Sequence, residues 1–273
     1  MEKIPFTIIG EHLMKIPVKV NGKDVMFLFD TGIGPTVISK KFADELTLEK
    51  VGTMTGKRMS GQEMEIQLVK VPLIEAGALA RKNIEVGIFD TSGMPEALKD
   101  IKGILSIGFF KGNILTIDYS NSDLIINGAG IKDRNFGSGV RVPVEVENNG
   151  PSVSLYVRIR IPSGRVLKFE VDTGSNLLIV NSRLSDELGI KHTDPEVETV
   201  TGIDETGHHY ERYYAEVKGE VSIDGNPDIK QENPGAIFQD IIYDGLLGHD
   251  FLKRYIVSFD IEKKEMVFYR HLN

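Results

Sequence analysis

The chain repeats itself. Phe27-Leu28-Phe29-Asp30-Thr31-Gly32 returns as Phe169-Glu170-Val171-Asp172-Thr173-Gly174, 142 residues later. The same offset of 142 carries Gly103 onto Gly245, Asp118 onto Asp260, Leu46 onto Leu188 and the turn Asn21-Gly22-Lys23 onto Ser163-Gly164-Arg165. A constant spacing held over roughly a hundred residues marks an internal duplication. Such a chain builds one supersecondary plan twice, and the halves divide as 1–130 and 138–273. Between them, 127–139 is rich in Gly and polar residues and is read as the linker.

Each half reads as short strands. Residues 4–9 and 12–20 are strand-like, and Asn21-Gly22 signals a tight hairpin into Val25–Phe29, which delivers Asp30. Thr36–Ile38 precedes a short helix with Ser39 as its N-cap. Residues 53–75 read as a hairpin whose tip runs from Thr55-Gly56 to Gly61. Further strands follow at 84–89, 114–118 and 124–126, with Gly103-Ile-Leu-Ser-Ile-Gly108 as an apolar strand and turn. The second half repeats this order, opening with 140–146 and reaching a short helix at 182–188. Its hairpin tip, Thr201-Gly202 to Gly207, sits 146 residues after the first, so an insertion falls in a loop, where insertions are tolerated. Many short strands and little helix predict an all-β protein of two homologous, barrel-like lobes related by a pseudo-two-fold axis.

Composition narrows the partners. Forty-one per cent hydrophobic and 26% charged residues is globular usage. A net charge of −8, without a basic patch, argues against nucleic acid. No apolar run reaches the ~18 residues of a membrane helix. Zero cysteines exclude disulfides and thiolate metal sites, and leave the redox compartment open. No charged-then-apolar leader stands at Met1; a chain that natively starts here is expected in the cytoplasm, and one that has shed a leader is expected outside it. No cofactor and no metal are expected.

Asp30 and Asp172 each follow an apolar strand and precede a turn, and a carboxylate there is costly to bury unless something satisfies it. One Asp-Thr-Gly is an ordinary turn; two in matching surroundings are a pair. In order and twice, an Asp-Thr-Gly, a glycine-bearing hairpin and a hydrophobic-hydrophobic-Gly segment resemble the aspartic proteases of the retropepsin-like and pepsin-like group, in a tandem, single-chain form. The second half carries Asp172-Thr173-Gly174-Ser175 and Gly245-Leu-Leu-Gly248-His-Asp250; the first carries Asp30-Thr31-Gly32 and Gly103-Ile-Leu-Ser106-Ile-Gly108.

The resemblance implies an endopeptidase in which Asp30 and Asp172 share a proton, one acting as base on a water and the other as acid on the peptide carbonyl. Thr31 and Thr173 would interlock across the axis, and Gly32 and Gly174 would let backbone amides reach the carboxylates. Hairpins at Thr55, Gly56, Gly61 and at Thr201, Gly202, Gly207 would fold as flaps over an extended peptide. A monomer with pseudo-dimeric lobes is expected. The alternative is a silent peptide-binding module, and a third idea fills the cleft with the chain itself.

The departures are Ile33-Gly34 after the first motif, and Ser106 and Gly108 where the second half has Gly248 and Asp250. Asp250 is expected to N-cap a helix that Gly108 cannot cap, so the first half is expected to be more loosely built. Gly103 and Gly245 are read as structural, Asp90-Thr91-Ser92-Gly93 as a loop, Asp244 as a turn, and His208-His209 as a solvated pair, because adjacent strand side chains face opposite ways.

Overall fold

The computed structural model describes residues 2–91, 95–128, 136–203 and 209–271, and it is nearly all β, as expected. In the first half, Leu13–Val20, Lys23–Asp30, Ile101–Ser106, Val37–Ser39, Leu79–Phe89 and Glu63–Ala76 pair in that order. The last returns to the first through Lys19–Glu75 and Val20–Ile74, closing a six-stranded barrel. Closure removes the exposed edges that an open sheet leaves. Phe27, Phe29, Ile38, Val86 and Leu105 point inward as its core.

The second barrel runs Ser152–Arg160, Val166–Val171, Gly245–Leu247, Leu178–Asn181, Gly235–Gln239 and His209–Glu216. It closes through a bent strand. His209–Glu216 gives way to Glu220–Ile223, which pairs back to Ser152–Arg160 at Ile159–Ile223 and Arg160–Ser222. The partner strand breaks opposite the bend, at Asn233-Pro234, since proline has no N–H for a ladder. Val217 N–H still reaches the Pro234 carbonyl at 2.9 Å and Asn233 N–H the Gly219 carbonyl at 2.8 Å, so the hydrogen bonds continue through the bend.

A third sheet joins the halves in the order Glu2–Pro5, Asp123–Gly128, Asn113–Asp118, Tyr255–Asp260, Glu265–Arg270 and Val140–Pro143. At its centre Thr116 stands opposite Ser258, two residues that are 142 apart. In an antiparallel pair, equivalent residues face each other only where a two-fold axis passes between them. Their hydroxyls meet there at 2.6 Å.

The strands expected at 4–9 and 140–146 each divide in two. Phe6 N–H bonds the Ser122 carbonyl at 2.8 Å and Val144 N–H the Lys264 carbonyl at 2.9 Å, so each chain leaves the central sheet for its own barrel at that residue. Of the expected linker, Asn127 and Gly128 belong to a strand, and 129–135 lie outside the described residues.

Ser39 caps the Lys40–Glu45 helix as expected, accepting from Phe42 N–H at 3.3 Å. The helix expected at 182–188 is instead two 3-10 turns. Asn181 accepts from Arg183, only two residues on, and this tighter cap favours the tighter turn. Among the described residues no helix is long and apolar enough to cross a membrane.

Gly103 and Gly245 hold equivalent places under an aromatic ring. A Cβ would come 2.6 Å from the Val37 carbonyl oxygen at Gly103 and 2.6 Å from that of Ile179 at Gly245, with Phe27 and Phe169 closing the other side. Gly103→Ala or Gly245→Ala is therefore expected to cost about 1–3 kcal/mol by overpacking. Urea unfolding of each variant against wild type checks this, with an unchanged midpoint counting against it.

Candidate functional site

Each Asp-Thr-Gly leaves the carboxyl end of a strand sandwiched inside its barrel. Lys23–Asp30 pairs in parallel with Ile101–Ser106, and Val166–Val171 with Gly245–Leu247. Asp172 N–H continues that ladder to the Leu247 carbonyl at 3.1 Å. The motif therefore follows at the carboxyl end of a strand flanked by neighbours on both sides.

The two motifs are tied to each other. Thr31 N–H donates to Thr173 Oγ1 at 3.0 Å, and Thr173 N–H donates to Thr31 Oγ1 at 3.0 Å. Thr31 Oγ1 also donates to the Val171 carbonyl at 2.7 Å. Both threonines are fully buried. These bonds cross between equivalent residues, so they lie on the same pseudo-axis as Thr116 and Ser258.

That tie forces the carboxylates together. Gly174 N–H donates to Asp172 Oδ1 at 2.9 Å and to Asp30 Oδ1 at 3.2 Å. Gly32 N–H donates to Asp30 Oδ1 at 2.8 Å. The two carboxyl groups also hydrogen-bond one another. A Cβ on Gly32 would overlap the Asp172 carboxylate, and one on Gly174 would overlap that of Asp30. Each glycine is therefore required by the opposite half.

Burial raises the pKa of both groups. Asp172 is raised well above the ordinary range, first by burial and then by the charge of Asp30 and its hydrogen bond to it, with Glu170 adding to the effect. Asp30 is raised by burial but held back by the Gly32 amide, by Asp172, by the Gly174 amide and by His12. The pair thus favours a state with one proton between them, and the two titrate as a unit.

Each half props up the other's loop. The His12 ring Nε2–H donates to the Gly174 carbonyl at 2.9 Å, and Glu11 bonds Asn176. In return Val153 N–H donates to the Gly34 carbonyl at 3.2 Å, and Ser152 Oγ fills the space where a Cβ on Gly34 would stand. Helix His249–Leu252 adds support in the second half, where His249 and Asp250 N–H donate to the Ser175 and Asn176 carbonyls, both at 2.8 Å.

Asp250 does not cap that helix. The cap is Gly248, where a Cβ would strike the Leu177 carbonyl, and Asp250 in the first turn bonds Gln231 at 2.6 Å and Lys253 at 2.8 Å instead. The first half is not left unsupported either. Ser106 N–H donates to Thr36 Oγ1 at 3.2 Å and the two hydroxyls lie 3.3 Å apart, so this pair ties the first loop to the following turn.

The flap residues divide differently from the reading of the sequence. Thr55 and Gly56 are in the hairpin's stem, paired with Glu65 and Met64, and the tip is Arg58–Gln62 with Gly61 at φ +84°. Ladder pairing runs past both, to Lys57 opposite Glu63. Thr201 and Gly202 are likewise stem residues, opposite Glu211 and Tyr210; Gly207 and His208 lie outside the described residues. The first tip reaches across to the second half. Ile242 N–H donates to the Met59 carbonyl at 2.8 Å, and Met59 packs against the cluster of Ile179, Ile241 and Leu246, as Tyr243 does.

Asp244 behaves as a structural residue, accepting from Lys168 N–H at 3.1 Å and pairing with Arg183 at 2.5 Å. Asp90-Thr91 precedes 92–94, which lie outside the described residues.

Two neighbours of the pair escaped the sequence reading. His12 sits in a turn with no motif around it. Glu170 was in plain view two residues before Asp172, but its importance depends on burial: it is 4% exposed and outside the barrel core. Its pKa is raised to about 7, chiefly by burial and further by Asp30 and Glu147, against hydrogen bonds from Ser154 and Tyr243.

Two tests follow from this geometry. Thr31→Val removes one acceptor and one donor from a buried network and is expected to cost about 2–4 kcal/mol, while Thr31→Ser retains most of the stability. Chemical unfolding of the two variants separates the hydroxyl from mere packing. For Glu170 the folded-state value lies above the unfolded one, so folding penalises the ionised form. That contribution to stability is complete below about pH 4.5 and lost as pH rises through about 7. Glu170→Gln should thus gain on wild type by about 3 kcal/mol between pH 4 and 8. Parallel pH-dependent unfolding curves for the two proteins would contradict this.

Comparison with known proteins bears on the first half. No curated protein matches the chain. The model of the aspartyl protease family matches residues 16–109, a stretch that holds Asp30-Thr31-Gly32, the first hairpin and the segment from Gly103 to Phe109. Over those residues the chain is similar to the aspartyl proteases, and the match supports that family for it.

Proposed function

We propose that the protein is an aspartic endopeptidase in which Asp30 and Asp172 form a proton-sharing dyad, one from each of two tandem retropepsin-like lobes. The observation that carries this reading is the single Gly174 amide shared by Asp30 and Asp172, whose carboxyls bond one another. Two carboxylates that close cannot both ionise, which is the state the chemistry needs.

In this reading the ionised Asp30 takes a proton from a water as its oxygen attacks the peptide carbonyl. Asp172 donates its proton to that carbonyl oxygen, giving a neutral tetrahedral diol. The proton gained by Asp30 then passes to the leaving nitrogen as the C–N bond breaks. A diol hydroxyl returns its proton to Asp172, and a carboxylic acid and an amine leave. Fixed amides at Gly32 and Gly174 hold the carboxylates throughout, so little reorganisation is needed. The substrate is an extended peptide beneath the first flap. One chain supplies both acids, so activity per molecule should not depend on protein concentration.

The second reading is a catalytically silent peptide-binding module of the same fold; the seating of the Met59 tip on the second half bears instead on the third idea, a cleft occupied by the chain itself. Asp30→Asn and Asp172→Asn distinguish the peptidase from the binder. Endopeptidase action predicts cleavage of a peptide library by wild type and a loss of about a thousandfold or more in kcat/KM in each variant, with folding intact by circular dichroism. Cleavage that survives either substitution rules out the dyad. Peptide binding without cleavage at any pH from 3 to 8 would establish the binder.

A further inference from the structure

We infer that Glu170 is a specificity-determining residue: its carboxylate receives a lysine or arginine side chain that flanks the scissile bond on the second-half side. The inference rests on the peptidase reading and adds to it a class of substrate.

The placement comes from sheet register. Tyr156, Glu170, Leu246, Ile179 and Ile237 are successive cross-strand partners, so they form one row across the second barrel. Phe169 and Val171 on either side of Glu170 are buried in the barrel core. By the two-residue alternation of a strand, Glu170 therefore faces outward, the way Asp172 does. Along that face the row is apolar or aromatic except for this one acid. The first half has Lys15, Leu28, Ile104 and Val37 in the matching row, with Leu28 in the place of Glu170. The two flanks of the Asp30–Asp172 pair thus differ at two charged positions: Glu170 stands where the first half has Leu28, and Tyr156 where it has Lys15, which is paired with Asp100.

What covers this face is the flap. Met59 packs against the cluster of Ile179, Ile241 and Leu246, and Leu246 is the cross-strand neighbour of Glu170, so a flexible apolar side chain of the first half lies over this row. Tyr243 itself bonds the Glu170 carboxylate. Lifting the tip uncovers a pocket with tyrosine walls and an acid at its base.

The electrostatics of that pocket call for a cation. From the strand at 152–160 come the Ser154 hydroxyl and the Tyr156 ring; from Glu145–Asn149 comes Glu147; ahead of Gly245 comes Tyr243; and Asp30 and Asp172 stand at its edge. Lys168, two residues back on the same strand, is held by Glu145 at 2.7 Å and Glu147 at 3.0 Å and lies 4.1 Å above the Tyr156 ring. Among the described residues no ion pair involves Glu170. A carboxylate already desolvated and surrounded by other acids is unfavourable alone and favourable with a guest cation. The cost of dehydrating it falls on folding rather than on binding, which makes the pocket selective. Leu28, by symmetry, offers an apolar surface to the side chain on the other flank.

Protonation governs the preference. Burial holds the Glu170 carboxyl neutral until about pH 7, so attraction for a cation is weak in acid and grows through neutrality. A bound cation favours the ionised form and extends the range downward.

The experiment compares two peptides identical except for lysine or norleucine beside a cleaved bond, since norleucine keeps the four-carbon stem and lacks the ammonium. At pH 7.5 wild type should show a kcat/KM ratio of about tenfold or more for lysine. That ratio should shrink towards pH 5 and collapse towards one in Glu170→Gln and in Glu170→Leu, which copies Leu28. A ratio near one in wild type, or a lysine preference surviving in a folded variant, overturns the assignment. If both variants fail to fold, a wild-type ratio that does not change from pH 5 to 8 overturns it. If neither peptide is cut, the peptidase reading fails, and calorimetric binding of the same pair decides this point: tighter binding of the lysine peptide upholds it and equal affinities overturn it.

Discussion

The reciprocal bonds between Thr31 and Thr173 are the constraint from which the rest of the site follows. Each backbone amide is satisfied by the other half's hydroxyl, in a place no water reaches. Breaking one leaves a buried donor without a partner, a cost no surface contact can make good. Because the bonds join equivalent residues, they also impose the symmetry. Once they form, the next residue of each half, a glycine, must lie under the opposite carboxylate. Two acids that repel in isolation are then held in one hydrogen-bonded cluster.

Symmetry holds where bonds cross the axis and lapses elsewhere. Thr116 and Ser258 keep a hydroxyl contact at the second crossing, although one has lost a methyl group. Away from the axis, different groups do the same work. A helix start supports the loop after Asp172, while a Thr36–Ser106 contact supports the loop after Asp30. Both solutions hold a loop at the carboxyl end of a barrel strand, and either is acceptable because the strand end, not the prop, is what the barrel positions. The bent strands of the second barrel are a further case, since its ladder continues around Pro234 by shifting partners.

Charge is where the halves differ most. Burying Glu170 beside Asp172 opposes loss of the second proton from the pair, and the matching Leu28 has no such influence on Asp30. His12 acts in the other direction, favouring ionisation of Asp30 while bonding the loop of the opposite half. A symmetric frame thus carries an unsymmetric field, so the two acids are distinguishable before any ligand arrives.

The repeat offset, the all-β plan and the structural place of Gly103 and Gly245 were legible in the residues, because each follows from local pattern and from duplication; the meeting of Asp30 with Asp172 and the threonine grip were expected only through the resemblance to the aspartic proteases. Tertiary structure alone decided the rest. That Thr55, Gly56, Thr201 and Gly202 are stem rather than tip depends on how far a ladder runs, which glycine does not dictate. That Asp250 is no cap depends on a carbonyl brought close by a distant loop. Glu170 and His12 take their weight from burial and from residues remote in the chain, and a carboxylate's energy is set by what surrounds it in space rather than by its neighbours in sequence.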